Sequence, residues 1–152
     1  MRGRANIVLP ALTMAPIDLP YAYLVAARGF FPAVRLLAES SAGVQRACAF
    51  LAAQTLECAL KAYLSHVGFS EAELKDKKRR HNLEFLWREA SDRGLSIDQQ
   101  PPLWCSLLNS GHDDPYHFRY PLKIHGIVVP PLPSMVAELR KLIDAVEVAV
   151  KA

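Results

Sequence analysis

The sequence predicts an all-α protein, an up-and-down bundle of four to five helices with a long proline-rich connection before the last one. Apolar residues recur at spacings of three and four along most of the chain, which is typical of helices, and alternation typical of strands is poor. The prolines cluster near the N-terminus and from Pro101 to Pro133, so proline-free stretches lie between stiff connections. Helices separated in this way favour a bundle.

Length and composition favour a single domain. The chain has 152 residues, of which 51% are apolar and 22% charged, enough to build a sizeable core. Residues 1–16 are interrupted by two prolines and are interpreted as an N-terminal arm that packs on a partner subunit. Residues 17–152 are then the helical bundle domain.

The cysteines and the apolar runs predict where the protein is found. The three cysteines have no paired spacing and lie in apolar surroundings, which predicts buried, reduced thiols and a cytoplasmic location. No uninterrupted apolar stretch reaches the roughly 18 residues that a membrane-spanning helix needs, so we expect no membrane partner.

The central helix is predicted between Gly43 and Val67, because apolar residues fill most of its circumference. The preceding helix, over residues 21–40, is expected to be kinked or broken between Gly29 and Pro32. The last helix is expected to begin near Ser134.

Capping signals predict the shorter helices. Ser70 and Glu73 form a capping-box pattern that should start a short helix running into the basic stretch. Asn82 can cap the next helix, which should stop at Gly94. Pro101-Pro102 suits the first turn of the helix after that. Residues 7–9 and 126–130 could instead be extended, but both are too short to make a sheet.

The connection from His112 to Pro133 is long for a compact domain, and such connections are often functional. Two kinds of chemistry are open there. His112, Asp113, Asp114 and His117 could bind a metal ion, or they could be satisfied surface groups at a helix end. Arg119 could hold a scissile phosphate while His125 moves a proton, which would cleave RNA without a metal.

A basic stretch precedes the predicted Asn82 cap. Residues 75–80 carry five cations and one acid, which can be a solvated turn or a binding surface for phosphates. The chain has no glycine-rich phosphate loop, which argues against a nucleotide-driven enzyme, and nothing in it predicts a cofactor.

Four features, read together, resemble the HEPN family, the nucleotide-binding domain of higher eukaryotes and prokaryotes. They are Glu57 and Lys61 one turn apart in AAQTLECALKAYL, the tripeptide beginning at His81, the FRYP segment over residues 118–121, and a final amphipathic helix. The resemblance covers roughly residues 20–150. It implies a helical bundle that is usually dimeric, and an activity of RNA or nucleotide binding, or of RNA cleavage.

The family's catalytic signature is an arginine followed, after four to six residues, by a histidine, which implies catalytic roles for Arg119 and His125. Here Tyr120 and Pro121 follow the arginine, a form more similar to members that bind nucleotide or pair with a nucleotidyltransferase. The proline biases Tyr120 away from helical geometry, so His125 is expected on the connection rather than on a helix.

The resulting hypothesis is a homodimeric, HEPN-like RNA- or nucleotide-binding domain, with metal-independent endoribonuclease activity in a toxin–antitoxin or defence system as its catalytic form. A nucleotidyltransferase-type or antitoxin protein is the implied partner. The alternative is a non-catalytic helical dimerisation or interaction module. The expected nucleic-acid contacts are Lys75, Lys77, Lys78, Arg79, Arg80, Arg119 and Tyr120. The expected supporting residues are Glu57, Lys61 and His81, with Glu57 and Lys61 fixing the packing or meeting Arg119, and His81 capping its helix.

Overall fold

The computed structural model describes residues 17–120 and 124–152, and those two ranges contain helices and no strand. The predicted all-α fold class is therefore confirmed. The predicted arm, residues 1–16, and Pro121 of the FRYP segment lie outside the described residues. The helices are α1 (Leu19–Glu39), α2 (Gln45–His66), α3 (Glu71–Leu74), α4 (Leu83–Asp92), α5 (Leu103–His112) and α6 (Leu132–Lys151).

Helix α2 is the centre of the bundle and contacts all five other helices. Every residue from Thr55 to Leu64 is buried, as expected for a helix that is apolar around most of its circumference. Two of these residues carry a charge at neutral pH: Glu57 and Lys61 are each only 4% exposed. Because a buried charge is costly without a partner, both must find their partners inside the protein.

Helix α1 runs through Pro32 without interruption, so of the predicted kink or break between Gly29 and Pro32 the break is wrong and the kink stays a prediction. Proline removes one helical hydrogen bond, but α1 packs against both α2 and α6. It buries Leu24 and Ala27 before the proline and Val34 after it, so the packing on both sides of Pro32 favours a continuous helix.

The predicted caps of the two middle helices are confirmed. Ser70 Oγ accepts a hydrogen bond from the Glu73 amide at 3.2 Å, and Glu73 Oε2 accepts one from the Ser70 amide at 2.8 Å. Asn82 Oδ1 accepts from the Phe85 amide at 2.9 Å. Helix α3 nevertheless ends at Leu74, so residues 75–80 form turns instead of continuing the helix as predicted.

The long connection between α5 and α6 is confirmed, and its first part folds back onto α5. The Phe118 amide donates to the Gly111 carbonyl at 2.9 Å, and the Phe118 ring is buried. Helix α6 begins at Leu132, slightly earlier than the predicted Ser134, because Pro133 is suited to the first turn of a helix.

Within the two described ranges, no helix combines the length and the apolar character needed to cross a membrane.

Candidate functional site

A buried polar network joins three parts of the chain at the carboxylate of Glu57. Oε1 accepts from Nζ of Lys61 at 2.6 Å. Oε2 lies 3.0 Å from Nδ1 of His81, which precedes α4, and 2.5 Å from Nε2 of His112, the last residue of α5. Lys61 also donates to the backbone carbonyl of Arg80 at 2.7 Å. The network therefore fixes the start of α4 and the end of α5 against α2.

The network sets which ring nitrogens carry hydrogen. An ionised carboxylate only accepts hydrogen bonds, so Nδ1 of His81 and Nε2 of His112 must both be N–H donors toward Glu57. The His81 side chain is 19% exposed, whereas that of His112 is fully buried. The second ring nitrogens differ in their surroundings. Nδ1 of His112 is enclosed without a partner among the described residues, whereas Nε2 of His81 belongs to a side chain that is partly exposed.

The carboxylate at the centre stays ionised. Burial by itself would raise the pKa of Glu57, but the hydrogen bonds from His112 and His81 and the charge of Lys61 outweigh it. Together they hold the pKa of this carboxyl well below its usual range. Glu57 is thus a fixed negative charge that orients two imidazoles.

A second set of contacts links the basic stretch to the connection after α5. The Arg80 side chain donates from an Nη nitrogen to the Tyr116 hydroxyl at 3.4 Å. The Tyr116 ring meets the His81 ring edge-on, with 5.6 Å between their centroids. Tyr116 adopts φ 61°, a left-handed conformation that is uncommon for a non-glycine residue. These contacts bring residues 75–80 and residues 113–120 together at the open side of the Glu57 network.

The cations of the basic stretch differ in their contacts. Lys75 pairs with Glu71. The Arg79 guanidinium lies over the rings of Phe69 and Phe85, 5.8 and 5.6 Å from their centroids. Among the residues that the structure describes, the exposed Lys77 and Lys78 ammonium groups have no ion-pair partner.

Arg119 and Tyr120 are exposed, and Arg119 does not meet Glu57 as the sequence had suggested. The Arg119 guanidinium lies 5.9 Å from the centroid of the Phe50 ring, and Glu57 contacts the two histidines and Lys61 instead. Tyr120 is 62% exposed. His125 is also exposed and lies beyond residues 121–123, which the structure does not describe.

The structure places His81 differently from the cap that was expected. Asn82 caps α4, and His81 turns toward Glu57. The partners that the sequence did not reveal are His112 and Tyr116. A glutamate in a helix that is apolar on most sides was a signal that polar partners exist, but it did not indicate which ones.

Glu57, His81 and His112 also form a group that a metal ion could use, since each offers one atom within 4.8 Å of the others. Asp113, Asp114 and His117, which the sequence grouped with His112, do not belong to it. The ammonium of Lys61 already binds the same carboxylate. Nδ1 of His112 has, among residues 17–120 and 124–152, no hydrogen-bond partner of the kind that usually supports a metal-bound histidine. Hydrogen bonds account for the cluster without a metal ion.

Comparisons of the chain with protein-family models, with curated proteins and with solved structures found no match to any of them.

Proposed function

We propose that this protein binds RNA or a nucleotide through phosphate groups, on a surface formed by residues 75–80 and residues 113–120. The observation that carries the proposal is the contact between Arg80 and Tyr116, which joins the two segments. Residues 75–80 on their own are a short cationic loop of a kind that is often simply solvated, and residues 113–120 carry one arginine together with two aspartates. Joined, they supply lysines, arginines and the exposed Tyr120 to one surface, the combination that phosphate-binding surfaces use.

The charges on this surface are available to a ligand. Lys77 and Lys78 are exposed and have no ion-pair partner among the described residues, and Arg119 is exposed beside Phe50. A guanidinium can make a two-pronged, charge-assisted contact with a phosphate. Tyr120, 62% exposed next to Arg119, can stack on a base.

The resemblance to the HEPN family supports the same proposal, because Glu57, Lys61 and His81 of the resembling segments meet in one network. On that resemblance the catalytic form is a metal-independent ribonuclease that uses Arg119 and His125. A nucleotidyltransferase-type or antitoxin protein remains the proposed partner.

The test is fluorescence anisotropy with a labelled single-stranded RNA of mixed sequence, and with labelled ATP, in the presence of chelator. Lys77→Gln combined with Lys78→Gln should weaken binding at least tenfold, because two phosphate contacts are lost. The control removes two cations from the α1–α6 side of the bundle, Arg35→Gln with Arg140→Gln, and should leave binding unchanged. No binding by the wild-type protein, or equal losses in both variants, would refute the proposal.

A second candidate function, homodimerisation or interaction without catalysis, is favoured by the outer face of α1. Tyr21, Val25 and Leu36 recur there at helical spacing and are 42%, 46% and 70% exposed. Exposed apolar side chains aligned along one helix face are typical of a protein contact. Light scattering should give a dimer for the wild-type protein and a monomer for Val25→Lys with Leu36→Lys. A monomeric wild-type protein would exclude the homodimer.

A further inference from the structure

We propose that His81 is the group that transfers the proton when bound RNA is cleaved, and that Glu57 is its positioning residue. This inference rests on the proposed function, since it requires RNA on the surface next to His81. It assigns the proton transfer to a residue inside the Glu57 network, in place of His125, the residue that the HEPN resemblance implies.

The hydrogen bond to Glu57 prepares His81 for this role. Because Nδ1 donates to the carboxylate at 3.0 Å, the lone pair of the neutral ring lies on Nε2. Nε2 makes no hydrogen bond to the described residues, and the side chain is 19% exposed. A carboxylate that fixes one ring nitrogen while the other faces the substrate is the arrangement that orients histidine bases in hydrolytic enzymes.

The alternatives in the same region are less well placed. The side chain of His112 is fully buried, and its Nε2 is already committed to Glu57. His125 is exposed, and no described side chain orients it. Of these three histidines, His81 alone combines a fixed orientation with access to solvent.

The charges around His81 suit a phosphodiester. Arg80 is the adjacent residue, and its guanidinium Nε is enclosed without a hydrogen-bond partner among the described residues, which leaves the Nη nitrogens for a ligand. Its Nη contact with the Tyr116 hydroxyl is long, at 3.4 Å. The Nη nitrogens therefore keep donor capacity for a phosphate oxygen close to the imidazole.

The reaction is an internal transesterification. Nε2 of His81 accepts the proton of the ribose 2′-hydroxyl, and the 2′-oxygen forms a bond to phosphorus. The bond from phosphorus to the 5′-oxygen breaks, and that oxygen takes a proton from water. The products are a 2′,3′-cyclic phosphate and a free 5′-hydroxyl, and His81 returns its proton to solvent. The step consumes no metal ion, oxidant or reductant.

The test measures cleavage of a labelled mixed-sequence RNA in chelator. His81→Asn is the informative variant, because the asparagine amide can occupy the place of Nδ1 and still donate to Glu57, but it cannot transfer a proton. This variant should retain the fold and RNA binding, and its rate of RNA cleavage should fall by about 100-fold or more. His66→Asn, at the exposed end of α2, is the matched control and should cleave like the wild type.

Two further readouts separate proton transfer from a structural role. Added imidazole should restore cleavage to His81→Gly, because it can enter the space that the ring leaves. An oligonucleotide of the same base sequence with 2′-deoxyribose throughout should bind without being cleaved, because it lacks the 2′-hydroxyl that attacks phosphorus.

The outcomes distinguish this inference from the proposed function. A wild-type protein that binds RNA without cutting it overturns the role of His81 and leaves binding intact. Full cleavage by His81→Asn, or loss of cleavage in His125→Asn alone, also overturns it. A wild-type protein that does not bind RNA overturns both proposals.

Discussion

Oε2 of Glu57 lies 2.5 Å from Nε2 of His112, although 55 positions separate the two residues in the chain. The contact joins the middle of the central helix to the end of α5. Since the carboxylate also holds His81 and Lys61, one buried charge fixes the region that carries both segments of the proposed surface. The fold and the proposed phosphate-binding surface therefore depend on the same group.

Glu57→Gln should lower the free energy of unfolding by about 3–5 kcal/mol, the usual result of removing one partner from a buried charge pair. The substitution leaves the Lys61 ammonium, 4% exposed, without its counter-charge. Glu138→Gln is the control, because Glu138 pairs with Lys141 at 2.8 Å on the surface, and it should cost less than about 1 kcal/mol. Urea denaturation measures both changes. Equal, small losses would show that the Glu57 network does not stabilise the fold.

Acid should destabilise the protein through Glu57. The pKa of this carboxyl is lower in the folded chain than its ordinary 4.5, so its contribution to stability is present above that pH. As the pH falls below about 4.5, the unfolded chain takes up the proton first and the free energy of unfolding decreases.

The variant Glu57→Gln with Lys61→Met replaces both members of the Glu57–Lys61 ion pair. Its free energy of unfolding should no longer show the decrease with acid that Glu57 causes. Urea denaturation of both proteins at a series of pH values provides the comparison. An identical slope in the double variant would mean that other carboxyl groups cause the acid effect.

The cysteines should be unreactive in the native protein. Burial raises the pKa of Cys58 to about 11 and that of Cys105 to about 12, and Cys48 is buried as well. The thiolate, which is the reactive form, is therefore scarce at neutral pH and shielded from reagents. A chromogenic disulfide reagent should label all three cysteines in denaturant and label none of them rapidly without it. Rapid labelling of the folded protein would contradict the burial of α2 and α5.

Gly111→Ala should displace the segment that carries Arg119. A Cβ atom at Gly111 would lie 2.7 Å from the Phe118 ring, so the ring or the backbone must move. Overpacking of this kind costs about 1–3 kcal/mol.

Gly29→Ala is the matched control, because a Cβ there meets nothing within 4 Å and the site is inside α1. It should stabilise the protein by up to about 1 kcal/mol. Thermal denaturation distinguishes the two changes, and a neutral Gly111→Ala would show that the connection does not pack on α5 through Phe118.

The parts of the fold that depend on residues close together in the sequence could be predicted. The caps at Ser70 and Asn82 are local hydrogen bonds, and α2 follows from its apolar circumference. The continuity of α1 through Pro32 could not be predicted, because it depends on packing against other helices.

The same distinction applies to the candidate site. Residues Glu57 and Lys61 were identified as a pair because one helical turn separates them. The contacts of Glu57 with His112, and of Arg80 with Tyr116, join distant segments, and no local pattern specifies them. They depend on how α4 and α5 pack against α2.

The measurement that tests the central claim most directly is the salt dependence of RNA binding. Single-stranded RNA bound through phosphates gives a slope of log affinity against log salt of about −0.7 for each phosphate neutralised. Lys77→Gln with Lys78→Gln should make this slope shallower by about 1.4, the value for two lost contacts. An affinity that does not change with salt, or an unchanged slope in the double variant, would contradict the account.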